Sequence, residues 1–181
     1  MRNLIAGLLQ EAASAKLIDL FLWSGMAGLV DARFNQRAFT GVVILDLSMG
    51  PDALFRQFSQ TRRNDIRRGI KCVVSVDLAK SRDDVSAYYA VYVDWARRRF
   101  LPITGEEQVQ GLFAERRNRR LLLARYKGKV IAGVVLRFVP GGVVEHAANS
   151  SPQSALHLKP NNVLHWRAIE WACRRPNQIQ P

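Results

Sequence analysis

The alternation of hydrophobic and polar positions predicts a series of helices and strands along most of the chain. Apolar residues at helical spacing predict a helix over 4–16, and the next apolar run predicts a short strand over 17–23. The run from Gly41 to Leu47 is rich in β-branched residues and predicts a buried strand. Residues 48–52 then predict a turn, and Pro51 favours the start of a helix.

The pattern is more regular after residue 70. A strand is predicted near 71–76, and Ser81 with Asp84 gives the signature of a capping box before a long amphipathic helix. A shorter helix is predicted after Pro102. Turn residues then separate three predicted strands, at Leu121 to Tyr126, Val130 to Val139 and Val143 to Ala148. A polar loop over 149–161 leads into a final, strongly apolar helix.

Charge adds a strong constraint on the partner. The 181 residues include 27 Lys and Arg against 15 Asp and Glu, so the net charge is +12 and the isoelectric point is about 10.6. This excess favours an anionic partner: nucleic acid, a phosphorylated substrate or an anionic membrane surface. The apolar share of 48% is typical of a globular protein and excludes a disordered chain.

Cysteine content and hydropathy bear on location. Cys72 and Cys173 are far apart and give neither a disulfide framework nor a metal-ligand spacing, so we predict no metal site and a reducing compartment. The apolar run over 17–30 is interrupted by Asp19 and is too short to span a bilayer. The sequence therefore predicts no transmembrane or targeting segment and a cytoplasmic location, with peripheral contact of the basic surface to a membrane still open.

The most basic stretch is the segment TRRNDIRRGIK at 61–71, which holds five cationic side chains. On a helix Arg63, Arg67 and Lys71 line one face, and two isoleucines form an apolar stripe beside it. Guanidinium groups match phosphate and carboxylate oxygens, although a merely solvated helix face would show the same pattern. The candidate anion contacts in this segment are Arg63, Arg67, Arg68 and Lys71.

Candidates for the chemistry itself are few, because the sequence contains no catalytic triad and no paired carboxylates in one motif. Glu145 and His146 are the catalytic candidates; they are adjacent on the third predicted strand and should point to opposite faces. His146 is interpreted as a general base or as a hydrogen-bonded structural histidine. Four more candidates for substrate binding precede or begin the last helix, where the asparagines could instead be N-caps: His157, Lys159, Asn161 and Asn162.

Four stretches carry a resemblance to a known family. They are TRRNDIRRGIK, then WARRRFLP at the end of the long helix, LLLARYKGKVIAGVVLRF in the first two strands of the meander, and KPNNVLHWRAIEWA at the last helix. Together they resemble the FemAB-type branch of the GNAT acyltransferase superfamily, the enzymes that build peptidoglycan interpeptide bridges. The resemblance covers about residues 41–175, with its parts in the same order.

The resemblance implies an α/β (α+β) fold with a mixed, largely antiparallel sheet flanked by helices. Full-length members contain two GNAT-like halves. Residues 1–60 would be the remnant of a first half, and 61–181 a second GNAT-like domain that lacks its last strands. On this interpretation the chain is incomplete at both ends.

The resemblance also implies an N-acyl or aminoacyl transfer to an amine, in a peptidoglycan precursor that is lipid-linked. CoA-dependent GNAT enzymes carry a glycine-rich loop before the last helix, and the corresponding segment 154–162 has no glycine. No firm cofactor follows; the expected donor is aminoacyl-tRNA, with acyl-CoA as the alternative. Three other interpretations stay open: a CoA-dependent N-acetyltransferase acting on a small amine, a non-catalytic basic nucleic-acid-binding module, and an inactive fragment.

Overall fold

A computed structural model describes residues 6, 7, 10, 43–72, 74–114, 118–139 and 142–174. The chain divides into two compact units, Met1–Val43 and Ile44–Pro181, and nearly all of the described residues belong to the second. The predicted helix over 4–16 and strand over 17–23 lie almost wholly outside the described residues. The predicted division of the chain at residue 60 stays a prediction.

Regular structure occupies most of the described residues after residue 46. The helices are α1 Gly50–Gln57, α2 Gln60–Lys71, α3 Arg82–Arg98, α4 Glu106–Ala114 and α5 Pro160–Cys173. The strands are β1 Ser75–Leu78, β2 Arg119–Tyr126, β3 Lys129–Phe138 and β4 Val144–Ser150. Short 3-10 helices at Leu47–Met49 and Gln153–Leu158 precede α1 and α5. The predicted order of two helices, three antiparallel strands and a last helix is confirmed.

The four described strands form an antiparallel sheet in the order β1-β2-β3-β4. Its side chains alternate between two helical layers, so the continuous apolar run of β2 is buried on both faces. Leu122 and Ala124 pack with α5, whereas Leu121 and Leu123 pack with α3 and α4. This arrangement explains why β2 has an unbroken hydrophobic pattern although its neighbours are antiparallel.

A β-bulge in β4 changes which side chains share a face. Val135 of β3 pairs with Ala148 and Leu136 pairs with His146, so Ala147 is the extra residue. Without the bulge, His146 and Asn149 would point to opposite faces of the sheet. With it, they pair with Leu136 and Val134, both of which belong to the core beneath α5. The bulge therefore brings His146 and Asn149 to the side of the sheet that α5 covers.

The predicted strand at Gly41 to Leu47 is wrong over its described residues. Residues 43–46 have no regular structure, and Val43 and Ile44 are 92% and 77% exposed. Asp46 instead accepts a hydrogen bond from the backbone of Ser48 and caps the first 3-10 helix. An apolar run alone does not distinguish a strand from an exposed segment before a cap.

The strand predicted near 71–76 begins later than expected. Lys71 still belongs to α2, and β1 starts at Ser75. The predicted capping box is confirmed, because Ser81 accepts a hydrogen bond from the backbone of Asp84 and Asp84 bonds back to the backbone of Ser81.

Helices α1 and α2 both pack on α5. In α1, Leu54 is fully buried and the ring of Phe55 lies 4.8 Å from that of Trp166. In α2, Ile66 is buried and Gly69 has almost no space beside it: a Cβ at Gly69 would lie 2.4 Å from Val163 Cγ2. Glycine thus lets the backbone of α2 approach the first turns of α5 closely.

Candidate functional site

A cavity of about 310 Å³ lies at the first turn of α5. Its wall comes from four parts of the fold: α2, the end of β4, the 3-10 helix and α5 itself. The lining residues are Arg62, Asn149, Leu156, Lys159, Pro160, Asn161, Asn162 and His165. Its volume is at the lower end of the range found for small-molecule sites.

The turn into α5 is made without glycine. Lys159 takes the left-handed conformation, with φ of 57°, and Pro160 follows at the start of the helix. Proline suits that position because its missing N–H is not needed there. A left-handed lysine is uncommon and stores strain, and such residues occur most often where function requires the local geometry.

Helix α2 supplies a polar network to the same turn. Arg62 and Asp65 lie on the face of α2 that also carries the buried Ile66 and Gly69. The Asp65 carboxylate lies 3.2 Å from Lys159 Nζ and accepts a hydrogen bond of 3.1 Å from Asn162 Nδ2. Arg62 Nη1 donates to Asn162 Oδ1. Lys159 is thus neutralised by Asp65, whereas the charge of Arg62 faces a neutral amide.

Two polar atoms of the cavity are buried and have no hydrogen-bond partner among the described residues: Asn161 Oδ1 and His165 Nε2. Asn161 uses its other polar atom, Nδ2, to donate to Ser151 Oγ at 3.0 Å. The two residues are four positions apart, so they lie on the same side of α5. A buried polar group without a partner costs free energy, which marks this pair as a place where a ligand would bind.

The ring of His165 also contacts His146. Their ring centroids are 4.7 Å apart in an edge-to-face arrangement. Burial, then the neighbouring His146 and Arg62, lower the pKa of His165 to about 4. Burial also lowers the pKa of His146, although part of that side chain is exposed. Both rings are therefore neutral at pH 7 and are able to accept a hydrogen bond or a proton.

Only some of the residues predicted from the sequence meet at the cavity. Lys159, Asn161 and Asn162 line it, and His146 lies directly behind it in contact with His165. The N-cap of α5 is Lys159, so neither asparagine is an N-cap. His157 does not line the cavity, and its Nδ1 lies 2.8 Å from the Ser154 carbonyl oxygen.

Glu145 and the predicted cationic face of α2 lie elsewhere. Glu145 forms a two-point ion pair with Arg137, with both N–O distances at 2.8 Å. Arg63 turns back on the end of α1 and donates to two carbonyl oxygens there, and Arg67 packs over the Phe55 ring at 5.6 Å. The last two cations of the predicted set are exposed and do not line the cavity: Arg68 and Lys71.

The sequence interpretation missed Arg62 and His165. A signal for Arg62 was present, because Arg62, Asp65, Ile66 and Gly69 recur at the spacing of one helix face. A signal for His165 was the spacing of four from Asn161 within an otherwise apolar helix.

The described part of the chain contains no group of three metal-binding side chains arranged to hold an ion. None of the helices in the described ranges is both long enough and apolar enough to cross a bilayer.

Two kinds of comparison place this architecture among known proteins. The model of a family described as acetyltransferase (GNAT) domain matches residues 56–178. A crystal structure of FemX is similar in fold, with a TM-score of 0.61 and 11% sequence identity over 71% of this chain and 48% of the FemX chain. The chain thus spans about half the length of FemX. No curated protein sequence gives a significant match.

A second structure, a ribosomal-protein-alanine N-acetyltransferase from Brucella melitensis biovar Abortus 2308, has a TM-score of 0.46. It is 16% identical over 57% of this chain and 76% of its own chain. The resemblance derived from the sequence is confirmed for the fold and for the superfamily. Since the family model matches well over half of the residues, the chain belongs to the GNAT acetyltransferase domain family.

Proposed function

We propose that the protein is a FemAB-type transferase that moves an aminoacyl group from charged tRNA to an amine of a peptidoglycan precursor. The observation that carries the proposal is the pair of buried, unpartnered atoms at the first turn of α5, Asn161 Oδ1 and His165 Nε2. Asn161 Oδ1 is an acceptor, and His165 Nε2 is one when the proton of the neutral ring is on Nδ1, so a ligand that brings N–H donors suits this pair. An aminoacyl group brings N–H donors on its α-amine, and an acetyl group brings none.

The charge around the cavity supports a nucleic-acid donor. Arg62 borders the cavity, and its charge faces a neutral amide. This guanidinium would form an ion pair with a phosphate at the tRNA end, while the aminoacyl group enters the cavity. The net charge of +12 strengthens the attraction to a polyanion over a longer range.

The turn before α5 gives further support. A glycine-rich turn at the start of a helix binds a pyrophosphate closely through its backbone N–H groups. Here residues 154–162 contain no glycine, and the left-handed position is filled by Lys159, whose side chain is paired with Asp65. This turn is less open to a nucleotide pyrophosphate than a glycine-rich one.

The transfer requires little covalent help from the protein. The nitrogen of the acceptor amine attacks the ester carbonyl carbon, a C–N bond forms and the ester C–O bond breaks. The amine loses one proton and the departing ribose hydroxyl gains one, so the step balances without a cofactor. The chain's part is to position the aminoacyl group, and His146, which is partly exposed and in contact with His165, is the candidate to relay the proton from the amine to the departing ribose oxygen.

A transfer assay with three donors tests the proposal: charged tRNA, the same tRNA with the aminoacyl nitrogen acetylated, and acetyl-CoA. The acceptor is a peptidoglycan precursor with a free side-chain amine. We expect product from charged tRNA and at least a tenfold lower rate from the N-acetylated form, since acetylation leaves that nitrogen with a single N–H donor. Efficient transfer from acetyl-CoA, with none from charged tRNA, would instead establish the CoA-dependent alternative that the family name suggests.

Two arginines on the same helix provide a matched pair of variants. Arg62→Gln removes the guanidinium at the cavity, and Arg68→Gln removes an exposed cation of α2 outside the cavity lining. We expect Arg62→Gln to weaken charged-tRNA binding about tenfold and Arg68→Gln to weaken it less than threefold. Equal losses would mean that the chain attracts RNA through its overall charge and not through this cavity.

A further inference from the structure

Beyond the cavity, the connection between α3 and α4 displays apolar side chains to solvent. Phe100 is 96% exposed, and two neighbours, Leu101 and Ile103, are more than 40% exposed. Scattered exposed apolar residues are ordinary in a soluble protein, but three within four consecutive positions form a contiguous apolar tip. We name the segment 97–103 the arginine–phenylalanine loop.

The loop is held in place by its backbone. Phe100 has φ of 55°, an uncommon conformation for a bulky residue. The amides of Arg99, Phe100 and Leu101 donate to carbonyl oxygens of the last turn of α3. On the other side, Tyr92 Oη donates to the Pro102 carbonyl and accepts from the Thr104 amide, at 3.3 and 3.0 Å. The exposed tip is therefore a fixed feature of the fold that keeps a strained residue pointing outward.

Three consecutive arginines form a collar behind the tip. Arg98 is paired with Asp94 at 3.1 Å and donates to the Ser151 carbonyl oxygen. Arg99 packs over the Trp95 ring at 5.4 Å. Within the described ranges, neither Arg97 nor Arg99 forms an ion pair with a carboxylate, so both charges are available to an external anion.

We propose that the arginine–phenylalanine loop docks the protein on an anionic membrane, with Phe100 in the interfacial layer and Arg97 and Arg99 on lipid phosphates. An apolar tip with a cationic collar is complementary to such a surface, where apolar groups enter the acyl boundary and cations stay at the headgroups. A four-residue convex tip is too small for a stable protein interface, which requires a broad surface on each partner.

The loop is connected to the cavity by a short chain of hydrogen bonds. Arg98 donates to the carbonyl oxygen of Ser151, and the hydroxyl of Ser151 accepts from Asn161, which lines the cavity. Docking through the loop would place the cavity close to the headgroups. The docking proposal does not depend on the identity of the acyl donor.

Vesicle co-sedimentation tests the proposal with the full chain. Vesicles of phosphatidylcholine alone are compared with vesicles that contain 30% phosphatidylglycerol, a fraction of roughly one anionic lipid in three, chosen to give a strong surface potential. We expect binding to the anionic vesicles only. Phe100→Ser with Leu101→Ser should lower the binding constant at least tenfold, and Arg97→Gln with Arg99→Gln should lower it by a similar factor.

Two control variants separate insertion from general attraction. Val143→Ser removes an apolar side chain that is 63% exposed on another edge of the fold, and Lys127→Gln with Lys129→Gln removes two exposed cations from the β2–β3 turn. Both should change binding less than twofold. If the Phe100 variant binds anionic vesicles as well as the unaltered chain, the protein only adsorbs through its charge and the proposal fails.

A depth measurement reports insertion without relying on affinity. In Phe100→Trp the new indole should be quenched by lipids brominated on their acyl chains, above the level of the unaltered chain. Val143→Trp serves as the matched site and should show no added quenching. The absence of added quenching at position 100 would overturn the proposal, even where the vesicles are bound.

Discussion

Two polar clusters in this molecule differ in how completely they are paired. The first joins β1, β2 and α3: Arg125 pairs with both Asp77 and Asp84, and Asp84 also accepts from the backbone of Lys80 and Ser81. The second, at the first turn of α5, leaves Asn161 Oδ1 and His165 Nε2 buried without partners among the described residues. The first cluster pairs its charges within the fold, whereas the second keeps two buried polar atoms for a partner from outside the chain.

The difference separates stability from function. A satisfied network holds an element in place, and in this case it fixes the start of α3 on the edge of the sheet. A buried group without a partner costs stability, and proteins retain such groups mainly at sites where a ligand repays that cost. Substitutions in the first cluster should therefore lower the free energy of unfolding and leave the transfer rate unchanged. Substitutions in the second should lower the transfer rate without lowering the free energy of unfolding.

The largest expected effect is that of His165→Leu. Leucine fills a similar volume and removes the unpartnered nitrogen, so the free energy of unfolding should stay equal or rise by up to about 1 kcal/mol. The rate of transfer from charged tRNA should fall about 100-fold, because the aminoacyl group loses a partner at the cavity. Urea unfolding and single-turnover transfer measure the two quantities. His165→Gln, which keeps an acceptor, should recover part of the rate.

A loss of both stability and transfer in His165→Leu would contradict this division, since it would make His165 a structural residue. The matched control is Ala168→Ser on the same helix, which places a hydroxyl in the core beneath α5 and has no connection with the cavity. It should lower stability by roughly 1 kcal/mol and leave the transfer rate per folded molecule unchanged.

The next effect is a dependence of stability on pH. Burial holds the pKa of His165 at about 4, below the 6.5 of an unfolded histidine, so the unfolded chain binds more protons between these values. Stability is complete above pH 6.5 and is lost as the pH falls toward 4. From pH 7.5 to pH 5 the free energy of unfolding should fall by about 1–2 kcal/mol from this group.

The pH effect is measured by urea unfolding at both pH values in the unaltered chain and in His165→Leu. The variant should lose most of the difference, apart from the smaller part that His146 contributes in the same direction. A difference that persists unchanged in the variant would show that other groups cause it.

Asp84→Ala is the test of the completed cluster. It removes the reciprocal capping of α3 and the ion pair with Arg125, so the free energy of unfolding should fall by about 1–2 kcal/mol. The hydrogen bonds and Arg125 keep the pKa of Asp84 below its usual value of 3.8, so its contribution is complete at neutral pH and disappears in strong acid. Transfer per folded molecule should change less than twofold. A large loss of transfer would show that the two clusters are coupled.

The sequence predicts those parts of the fold whose determining residues are close together in the chain. A few neighbouring residues determine the capping box at Ser81 and Asp84 and the turn at Lys127–Gly128. The helix and the strands that begin or end there are confirmed. The strand predicted at Gly41 to Leu47 is wrong over its described residues because Val43, Ile44 and Leu45 are exposed, and exposure depends on what lies next to them in space.

The candidate site was only partly predictable for the same reason. Lys159, Asn161 and Asn162 are adjacent in sequence and were named from it. Arg62 reaches the cavity because Gly69 lets α2 approach α5, a contact between residues about 90 positions apart. His146 contacts His165 because the bulge at Ala147 turns it to the face of the sheet beneath α5, and no pattern in the sequence marks that bulge.

The smallest expected effect distinguishes the two catalytic candidates on β4. Glu145 is held by Arg137 in a largely exposed ion pair, so Glu145→Gln should lower the free energy of unfolding by less than about 1 kcal/mol. Transfer should stay within twofold of the unaltered rate, because this carboxylate does not line the cavity and is paired with Arg137. His146→Gln keeps a polar side chain at this position but removes the ring that contacts His165. It should lower the transfer rate about tenfold, and most strongly at pH values where the acceptor amine is protonated and must lose its proton. The ratio of the two rates, measured across pH 6–9 on the same donor, is the decisive quantity. If Glu145→Gln shows the larger loss, the carboxylate reaches the reacting amine in the complex. Glu145 would then belong to the functional site, although it is paired with Arg137.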